Sequence, residues 1–434
     1  MDAENDLAVS DEAQPEPALR PAWEREGTVC VVGVDGLTLD LIEPMAERGE
    51  LPAFSRLAER GCYGALATIS PTNSSLLWTS IATGRHHDDH GIDGFQFYEV
   101  CGIHLSRSAL RKYGRWGLRL LIALPKLLGL RKKYHFDGRH IRARPFWEVV
   151  SESGGRVGVV NWWHSWPARP VNGFLVSDRL HYWRAAWRGK PPVDTHLVYP
   201  ESLMDQIGEL IVPPEEVSAE EVAEFVHLPL DQIRRIAEEG SDKRHPVVEV
   251  RFLLSADRTY SRVFRQCRRA FGELQLAAIY FRGPDIAQHC AFEYLPSSVA
   301  SEATEGERKA FGEVVPRAYR FADHLVGQLL DQLRPEDSLL LVSDHGYGRQ
   351  KDAGRHGPYG HAKGEPPGVI YACGRGFRRG ARIEDACIYD VAPTALRMCG
   401  LPVARDLEGR CLEELVTEDF RKAHPVPEPV ETYG

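Results

Sequence analysis

Thr28-Val29-Cys30-Val31-Val32-Gly33-Val34-Asp35-Gly36 is the stretch that decides the fold class. It is a short apolar run that ends on an acid and a glycine. A run of valines followed by turn residues is typical of a strand buried on both faces, as in parallel sheets. Either Thr38 or Asp40 is placed to cap a helix that runs through Leu41 and Met45.

Further apolar runs alternate with helical patterns along the rest of the chain. A long amphipathic helix is predicted from Glu305 to Leu333. Strands that alternate with helices indicate an α/β fold with a largely parallel sheet. The predicted strands are 64–69, 156–163, 173–178, 274–280, 338–342 and 368–374.

The composition is that of an ordinary globular protein. The chain has 434 residues, is 43% hydrophobic and 26% charged, and carries a net charge of -9. This length suffices for one large α/β domain or two smaller ones. The negative charge argues against binding of a nucleic-acid polymer by the chain as a whole. Nine cysteines without CxxC pairs favour a reducing compartment.

The ends of the chain carry little chemistry. Residues 1–26 are acidic and rich in proline and alanine, so we expect a disordered tail without a signal peptide. Residues 416–434 form a polar tail. No run of about twenty apolar residues predicts a transmembrane helix. We therefore expect a cytoplasmic protein.

Three predicted strands are followed by an acid: Asp35, Asp285 and Asp344. In open α/β sheets, ligands bind outside the carboxyl ends of the strands. Three carboxylates gathered there need cations to neutralise them. Three histidines lie close by in sequence, namely His289, His345 and His361. Mixed carboxylate and imidazole ligands suit zinc, and also manganese or iron. Six ligands are enough for two metal sites, a clamp used for in-line phosphoryl displacement.

The ordered set of motifs resembles the alkaline phosphatase superfamily, in its type I phosphodiesterase/nucleotide pyrophosphatase branch. The matching elements are Val34-Asp35-Gly36, Ser74 four places before Trp78, Thr83-Gly84, His90-Gly91-Ile92, Asp285 four places before His289, and Ser343-Asp344-His345-Gly346. The resemblance spans about Thr28 to Leu412, and residues 96–273 match only as a variable insert. It implies a three-layer α/β/α sandwich within one hydrolase domain, residues 27–415.

The resemblance also implies a role for each residue of the set. Asp35, Asp344 and His345 would hold one divalent metal, which also binds the oxygen of Ser74. Asp285, His289 and His361 would hold the other, which activates the hydrolytic water. Ser74 would be the nucleophile and would form a covalent phosphoserine. The two metals are expected to be zinc, with manganese as the alternative.

Some assignments have competitors in the sequence. Ser75 or Thr72 competes with Ser74, although the spacing to Trp78 favours Ser74. His356 competes with His361 as the last ligand. We expect His90 to be structural. The chain also departs from the resemblance, because Asp93-Gly94-Phe95 stands where nucleotide pyrophosphatases have an asparagine that binds a phosphoryl oxygen.

Two inserts distinguish the middle of the chain. Residues 107–144 contain twelve Lys/Arg and one acid, Asp137, around a leucine-rich stretch that Pro125 interrupts. This insert fits a lid whose apolar side packs on the domain, or a peripheral membrane contact. Residues 200–270 are predicted to be mostly helical. Trp162, Trp163 and Trp166 either line a substrate pocket or pack in the core.

The sequence thus predicts a two-metal phosphohydrolase that acts on a small phosphorylated substrate with a phosphodiester or phosphoanhydride bond. The chain has no P-loop, GxGxxG after a strand, HExxH or GxSxG motif. The alternative is a membrane-surface binding protein or phosphotransferase built on the same fold, which the cationic residues 107–144 favour.

Overall fold

The computed structural model describes residues 27–100, 103–105, 130–181, 196–240, 244–296, 302–348 and 366–434, with the backbone alone for 103–105. The predicted N-terminal tail, most of the basic insert, His356 and His361 lie outside the described residues.

The strands are β1 (Val29–Val34), β2 (Gly61–Ala67), β3 (Gln96–Val100), β4 (Ile103–Leu105), β5 (Arg131–His135), β6 (Val157–Val160), β7 (Gly173–Val176), β8 (Val198–Tyr199), β9 (Leu276–Phe281), β10 (Ser338–Val342), β11 (Gly368–Gly374) and β12 (Ala381–Cys387).

The α-helices alternate with these strands, as the sequence pattern predicts. They are α1 (Leu39–Glu47), α2 (Pro52–Arg60), α3 (Ser74–Thr83), α4 (His87–His90), α5 (Phe146–Glu152), α6 (Met204–Ile207), α7 (Ala219–Ala223), α8 (Leu230–Glu239), α9 (Pro246–Phe271), α10 (Gly283–Ala291), α11 (Glu305–Phe311), α12 (Val314–Leu330), α13 (Val391–Met398) and α14 (Glu418–Ala423).

A central sheet holds nine strands in the order β12-β2-β11-β10-β1-β9-β6-β7-β8. Its middle is parallel, since β1 pairs in parallel with both β9 and β10, and β6 pairs in parallel with β9 and β7. The strand β11 is antiparallel to both of its neighbours. The sheet is therefore mixed but largely parallel, which confirms the predicted fold class.

Hydrophobic cores cover both faces of this sheet. One core joins the sheet to α1, α2, α9 and α12, and the other joins it to α3, α5 and α13. All six residues of β1 are buried, because helices cover both of its faces. The arrangement is the predicted three-layer α/β/α sandwich.

The predicted helix Glu305–Leu333 is in fact two helices, α11 and α12, which is a correction to the sequence prediction. The break falls at Gly312 and Glu313. Pro316 explains it, because its ring in a continuous helix would clash with the carbonyl of Gly312 and it has no N–H to donate there. In the first turn of a new helix the missing N–H costs nothing.

A small second sheet has the order β4-β3-β5, with both pairs antiparallel. Its strand β5 belongs to the predicted basic insert and presents four of its five residues, 132–135, to solvent. The predicted helical insert, residues 200–270, contains α6, α7, α8 and most of α9. In the described part of the chain no helix is both long and apolar enough to cross a membrane. Eight cysteines fall in that part, and all are free thiols.

Candidate active site

The acids predicted at the strand ends come together because their strands are neighbours. Gly33 of β1 stands opposite Val342 of β10 in a parallel register. Asp35 and Asp344 each follow their strand position by two residues, so they emerge side by side at the carboxyl edge of the sheet. The sequence pattern predicts this edge as the site of ligand binding.

Asp35, Asp344 and His345 form a compact group of candidate metal ligands. One ligand atom from each lies within 4.8 Å of the others. The Nε2 atom of His345 is 3.3 Å from Asp35 Oδ1 and 3.5 Å from Asp344 Oδ2. All three residues are buried, with exposures of 1% or less. We call these three residues the strand-end group.

The His345 ring is fixed by its own backbone. Its Nδ1 atom lies 2.8 Å from the carbonyl oxygen of Gly346. Because a carbonyl can only accept, Nδ1 carries the proton and donates it there. This bond turns Nε2 towards the two carboxylates, the orientation that metal-binding histidines adopt.

Asp35 is held by one of its two oxygens. Its Oδ2 atom accepts hydrogen bonds from Trp78 Nε1 at 3.0 Å and from the Tyr280 hydroxyl at 2.5 Å. Burial and the nearby Asp35 carboxylate raise the pKa of Tyr280 well above its usual value, so the phenol stays a donor. The Oδ1 atom has no hydrogen-bond donor among the described residues. One oxygen is therefore oriented by the protein and the other is available for a cation.

The charge on this group is not balanced by the described protein. Both oxygens of Asp344 are buried without a hydrogen bond in the described structure. Burial, and then the carboxylates of Asp35 and Asp285, raise the pKa of Asp344 well above its usual value. A proton or a cation must take up the charge, since buried unpaired carboxylates are very costly. The donor set fits a divalent metal.

Asp285 and His289 lie one turn apart on α10, as their spacing predicts. Asp285 Oδ1 is 3.4 Å from His289 Nε2. The helix packs against the turn after β1, because Gln288 Nε2 donates to the Gly36 carbonyl at 2.7 Å. Gly36 has a φ of +77°, and a Cβ there would lie 2.9 Å from the Cα of Asp285, so only glycine fits. This contact brings the Asp285–His289 pair to the strand-end group.

The pair on α10 is less enclosed than the strand-end group. The Asp285 side chain is 14% exposed and that of His289 is 23% exposed. His289 Nδ1 lies 3.4 Å from the Tyr347 hydroxyl. The third predicted ligand, His361, and its competitor His356 lie outside the described residues.

Ser74 begins α3, at the point predicted for the nucleophile. Asn73 caps the helix, and its side chain accepts from the Leu76 amide. Trp78 follows Ser74 by one turn and contacts Asp35 through its indole N–H, so the same helix face that carries Ser74 points at Asp35. Ser74 is 7% exposed.

The competitor Ser75 is fully buried and is engaged elsewhere. Its Oγ atom lies 2.8 Å from the Gly94 carbonyl and 2.7 Å from His164 Nε2. Burial lowers the pKa of His164 to about 4, so this imidazole is neutral at neutral pH. These bonds join α3 to the loops after α4 and β6, which is a structural role.

His90 also has a structural role, since it connects α3 to the end of α4. Its Nε2 atom lies 3.0 Å from Ser80 Oγ, and its Nδ1 atom accepts from the Ile92 amide at 3.2 Å. Burial lowers the pKa of His90 well below its usual value. The geometry agrees with the structural role expected for this residue.

These elements together match a known family. The model of the type I phosphodiesterase / nucleotide pyrophosphatase family matches residues 29–357, well over half of the chain. The chain belongs to this family. It is thus a hydrolase of phosphoric ester bonds. The matched range contains the positions of Asp35, Ser74, Asp285, His289, Asp344 and His345, and ends before His361.

Several solved structures are similar to this phosphodiesterase family member, and the first of those named here supports the fold. Alkaline phosphatase PafA, in a mutant form, has a TM-score of 0.51 at 12% identity, covering 91% of this chain and 100% of that one. An inactive variant of murine ectonucleotide pyrophosphatase/phosphodiesterase 5, in complex with AMP, has a TM-score of 0.47 at 13% identity, with 90% and 100% covered. A phosphonate monoester hydrolase from Silicibacter pomeroyi has a TM-score of 0.46 at 13% identity, with 91% and 78% covered. No curated protein matches the sequence.

The tryptophans after β6 have separate roles in this phosphodiesterase. Trp162 packs in the core, where its ring contacts Trp78, Phe146 and Trp147. Trp163 instead stands between Tyr280, at 6.2 Å between ring centroids, and Phe95, at 5.7 Å. Since Phe95 is 43% exposed, an aromatic wall extends from the Asp35 partner Tyr280 to the surface.

Sequence reasoning missed the groups that orient Asp35. In the sequence, Trp78 marks the spacing to Ser74, and Tyr280 is the last residue of a predicted strand. Tyr280 stands five positions before Asp285, which indicates that it lies near the site but not that it bonds to Asp35. No pattern in the sequence could assign either donor to Asp35, because both bonds join residues more than 40 positions apart.

Proposed function

We propose that this protein is a two-metal phosphodiesterase that acts through a phosphoserine at Ser74. The observation that carries the proposal is the strand-end group, in which ligand atoms of three buried residues lie within 4.8 Å of one another. Asp35 Oδ1 and both oxygens of Asp344 have no hydrogen-bond donor among the described residues. Membership of the phosphodiesterase family supports it. The two metals would supply positive charge that lowers the pKa of the serine hydroxyl and of the attacking water.

The ligands divide into two sets. Asp35, Asp344 and His345 would hold the metal nearest Ser74, and Asp285, His289 and His361 would hold the other. The mixture of carboxylate and imidazole favours zinc, with manganese as the alternative.

The residues of the chain would handle the covalent step as follows. The Ser74 Oγ atom attacks phosphorus, and the bond from phosphorus to the leaving oxygen breaks. Water then attacks phosphorus in the phosphoserine, and the Ser74 oxygen leaves and regains a proton. The start of α3 assists both steps, because the amide end of a helix favours an anion.

Asp93 bears on the choice of substrate. Its neighbour Gly94 accepts a hydrogen bond from Ser75, so residue 93 lies beside the start of α3. A carboxylate there repels the second negative charge of a phosphomonoester more than the single charge of a diester. We propose a small phosphodiester or phosphoanhydride as the substrate. Asp93→Asn should then raise turnover of p-nitrophenyl phosphate relative to bis-p-nitrophenyl phosphate, by about tenfold. An unchanged ratio would contradict this.

The nucleophile is tested by hydrolysis of bis-p-nitrophenyl phosphate after zinc or manganese addition. Ser74→Ala should lower kcat by at least about a thousandfold. The matched control is Ser75→Ala, which removes the neighbouring hydroxyl. It should keep kcat within about tenfold per folded molecule, because Ser75 acts by positioning the helix. If Ser75→Ala abolishes hydrolysis while Ser74→Ala remains active, the assignment of Ser74 as the nucleophile is wrong.

A peripheral membrane contact is a second candidate role, and β5 favours it. This strand exposes Lys132, Lys133 and Tyr134 on the small sheet. Basic and aromatic side chains on one edge suit an anionic bilayer surface. Lys132→Glu with Lys133→Glu should abolish flotation with phosphatidylserine vesicles. Absence of flotation in the wild-type protein would remove this role.

A further inference from the structure

A second charged site lies on the helical layer. A cavity of about 450 Å³ opens between α9 and α12, with the turn after α7, Glu224 and Phe225, at one end. Five arginines line it, although the chain as a whole carries a net charge of -9. They are Arg258, Arg262 and Arg265 on α9, and Arg317 and Arg320 on α12. We call this cavity the arginine pocket.

The helix period puts these arginines on facing surfaces. Residues 258, 262 and 265 are spaced by four and three, so they share one face of α9, and 317 and 320 share one face of α12. The pocket also has an apolar lining from Phe225, Leu254 and Phe321. The pocket is open to solvent: Arg262 and Arg317 are exposed and Arg265 is half-buried, so their guanidinium groups are accessible to a dissolved anion.

Two of the arginines already have acidic partners. Arg258 forms an ion pair with Glu221. Arg320 bonds to Glu50 at 2.5 Å and to Glu313 at 3.3 Å. These ion pairs lie at the edge of the pocket. They neutralise most of the positive charge of Arg258 and Arg320, so these two arginines contribute little to ligand binding.

The other three arginines have no acidic partner among the described residues. The side chains of Arg262, Arg265 and Arg317 form no hydrogen bond or ion pair with any residue in the described ranges, and Glu224 is the one acid on the lining. Three like charges at one cavity repel each other, and a multivalent anion removes that repulsion. The guanidinium fork also matches phosphate oxygens two at a time.

We propose that the arginine pocket binds a small anion with several phosphate groups. A single phosphate would leave part of the charge unmatched. The volume suits a compact molecule of several phosphates, within the usual range for small-molecule sites. The proposal does not rest on the proposed function, because it concerns a different set of residues and a binding step without turnover.

The pocket shares its two helices with the candidate active site. On α9, Asp257 stands beside Arg258 and accepts hydrogen bonds from the amides of Arg282 and Gly283, where α10 begins. On α12, Tyr319 stands beside Arg320 and donates to the Gly36 carbonyl at 3.0 Å. An anion that joins the two helices should therefore stabilise the folded chain and raise Tm.

The test is calorimetric titration of the full chain with sodium tripolyphosphate after removal of metals with a chelator. We expect wild-type binding in the micromolar range and a rise in Tm. Arg262→Gln, Arg265→Gln and Arg317→Gln together should weaken binding by at least about tenfold. The matched control changes Arg60, Arg235 and Arg379 to Gln, three exposed arginines outside the pocket, and should bind within about twofold of wild type.

Other results would overturn the proposal. Equal affinity in the pocket variant and the wild type would place the anion elsewhere. A wild-type protein that binds neither tripolyphosphate nor phosphoinositide vesicles would have no site. If the pocket variant fails to fold, Arg317→Gln alone replaces it, with an expected loss of about threefold or more. Binding to vesicles of phosphatidylcholine with phosphatidylinositol bisphosphate distinguishes a lipid headgroup from a free anion as the source of phosphate. Pocket-dependent binding to vesicles without binding of tripolyphosphate would overturn a free anion in favour of a lipid headgroup.

Discussion

The strand-end group and the Asp285–His289 pair hold the same types of side chain in different ways. Asp35, Asp344 and His345 follow two adjacent strands in the middle of the sheet and are fully buried. Asp285 and His289 lie on a helix, one turn apart, with exposures of 14% and 23%. Burial on rigid strands fixes the geometry before a metal binds, but it also makes the uncompensated charge more costly.

This difference in burial shows that the geometry that favours metal binding also lowers the stability of the metal-free protein. The strand-end group should bind its metal more tightly and should destabilise the metal-free protein more. The pair on α10 should bind more weakly, because its side chains are partly exposed and solvent weakens their attraction for a cation. Variants in and around the strand-end group and the Asp285–His289 pair should separate the two, from the largest expected effect to the smallest.

The largest effect is expected from Asp344→Ala. Loss of this ligand should remove tight metal binding and lower hydrolysis of bis-p-nitrophenyl phosphate by at least about a thousandfold. The matched control is Asp337→Asn at the other end of β10, where the carboxylate accepts from the Thr28 amide and pairs with Arg334. That variant should lose stability and keep its kcat per folded molecule. Full activity in Asp344→Ala would contradict the account.

The next effect concerns the support behind Ser74, where His164 bonds to Ser75. Burial lowers the pKa of His164 from 6.5 to about 4. The unfolded chain therefore takes up a proton near pH 6.5 while the folded chain does not, so stability is lost as pH falls from 6.5 towards 4. The shift corresponds to about 3 kcal/mol.

Urea unfolding at several pH values measures this loss against a variant without the imidazole. In His164→Gln the free energy of unfolding should fall less between pH 6.5 and pH 4 than in the wild type. His227→Gln, at an exposed position, should keep the wild-type dependence. Parallel curves for wild type and His164→Gln would show that the imidazole titrates normally.

A third effect separates the two halves in the metal-free protein. The pKa of Asp344 is raised by burial and by Asp35, so its charged form destabilises the fold as pH rises through that pKa. Asp344→Asn should therefore stabilise the metal-free chain at pH 7, because it removes a buried charge without a partner. Asp285→Asn should stabilise it less, because the Asp285 side chain is 14% exposed whereas that of Asp344 is fully buried. Chemical denaturation in the presence of a chelator makes the measurement, and a larger gain from Asp285→Asn would reverse the comparison.

The smallest effect is expected from Trp78→Phe. This change removes the indole N–H that fixes Asp35 Oδ2, while Tyr280 still donates to the same oxygen. Metal affinity at the strand-end group should fall by about tenfold, the size seen when a group that orients a ligand is lost. Trp162→Phe, whose ring packs in the same core, is the control and should leave metal affinity unchanged.

The sequence predicts much of the strand-end group and little of its surroundings. A valine run such as β1 and the acid after it are local patterns, so Asp35 and Asp344 could be placed at the correct edge. The partners of Asp35 could not, since Trp78 and Tyr280 reach it only through the packing of α3 and β9. The register of β1 against β10 likewise depends on contacts over 300 positions apart.

The helical layer illustrates the same limit. The 3.6-residue period predicts an amphipathic segment from Glu305 to Leu333, but not the break that Pro316 imposes. The sequence pattern cannot predict the arginine pocket, because Arg262 and Arg317 belong to different helices. Each arginine alone has the spacing of an ordinary solvated face, and only the packing of α9 on α12 gathers them.

Metal content tests the central claim most directly. Elemental analysis of purified protein, after zinc addition and gel filtration, should give about two zinc ions per chain for the wild type. Asp285→Asn should retain about one, because the strand-end group remains intact. Asp344→Asn should lose the tightly held ion. A wild-type chain that retains no metal, or an Asp285→Asn chain that retains two ions, would contradict the account.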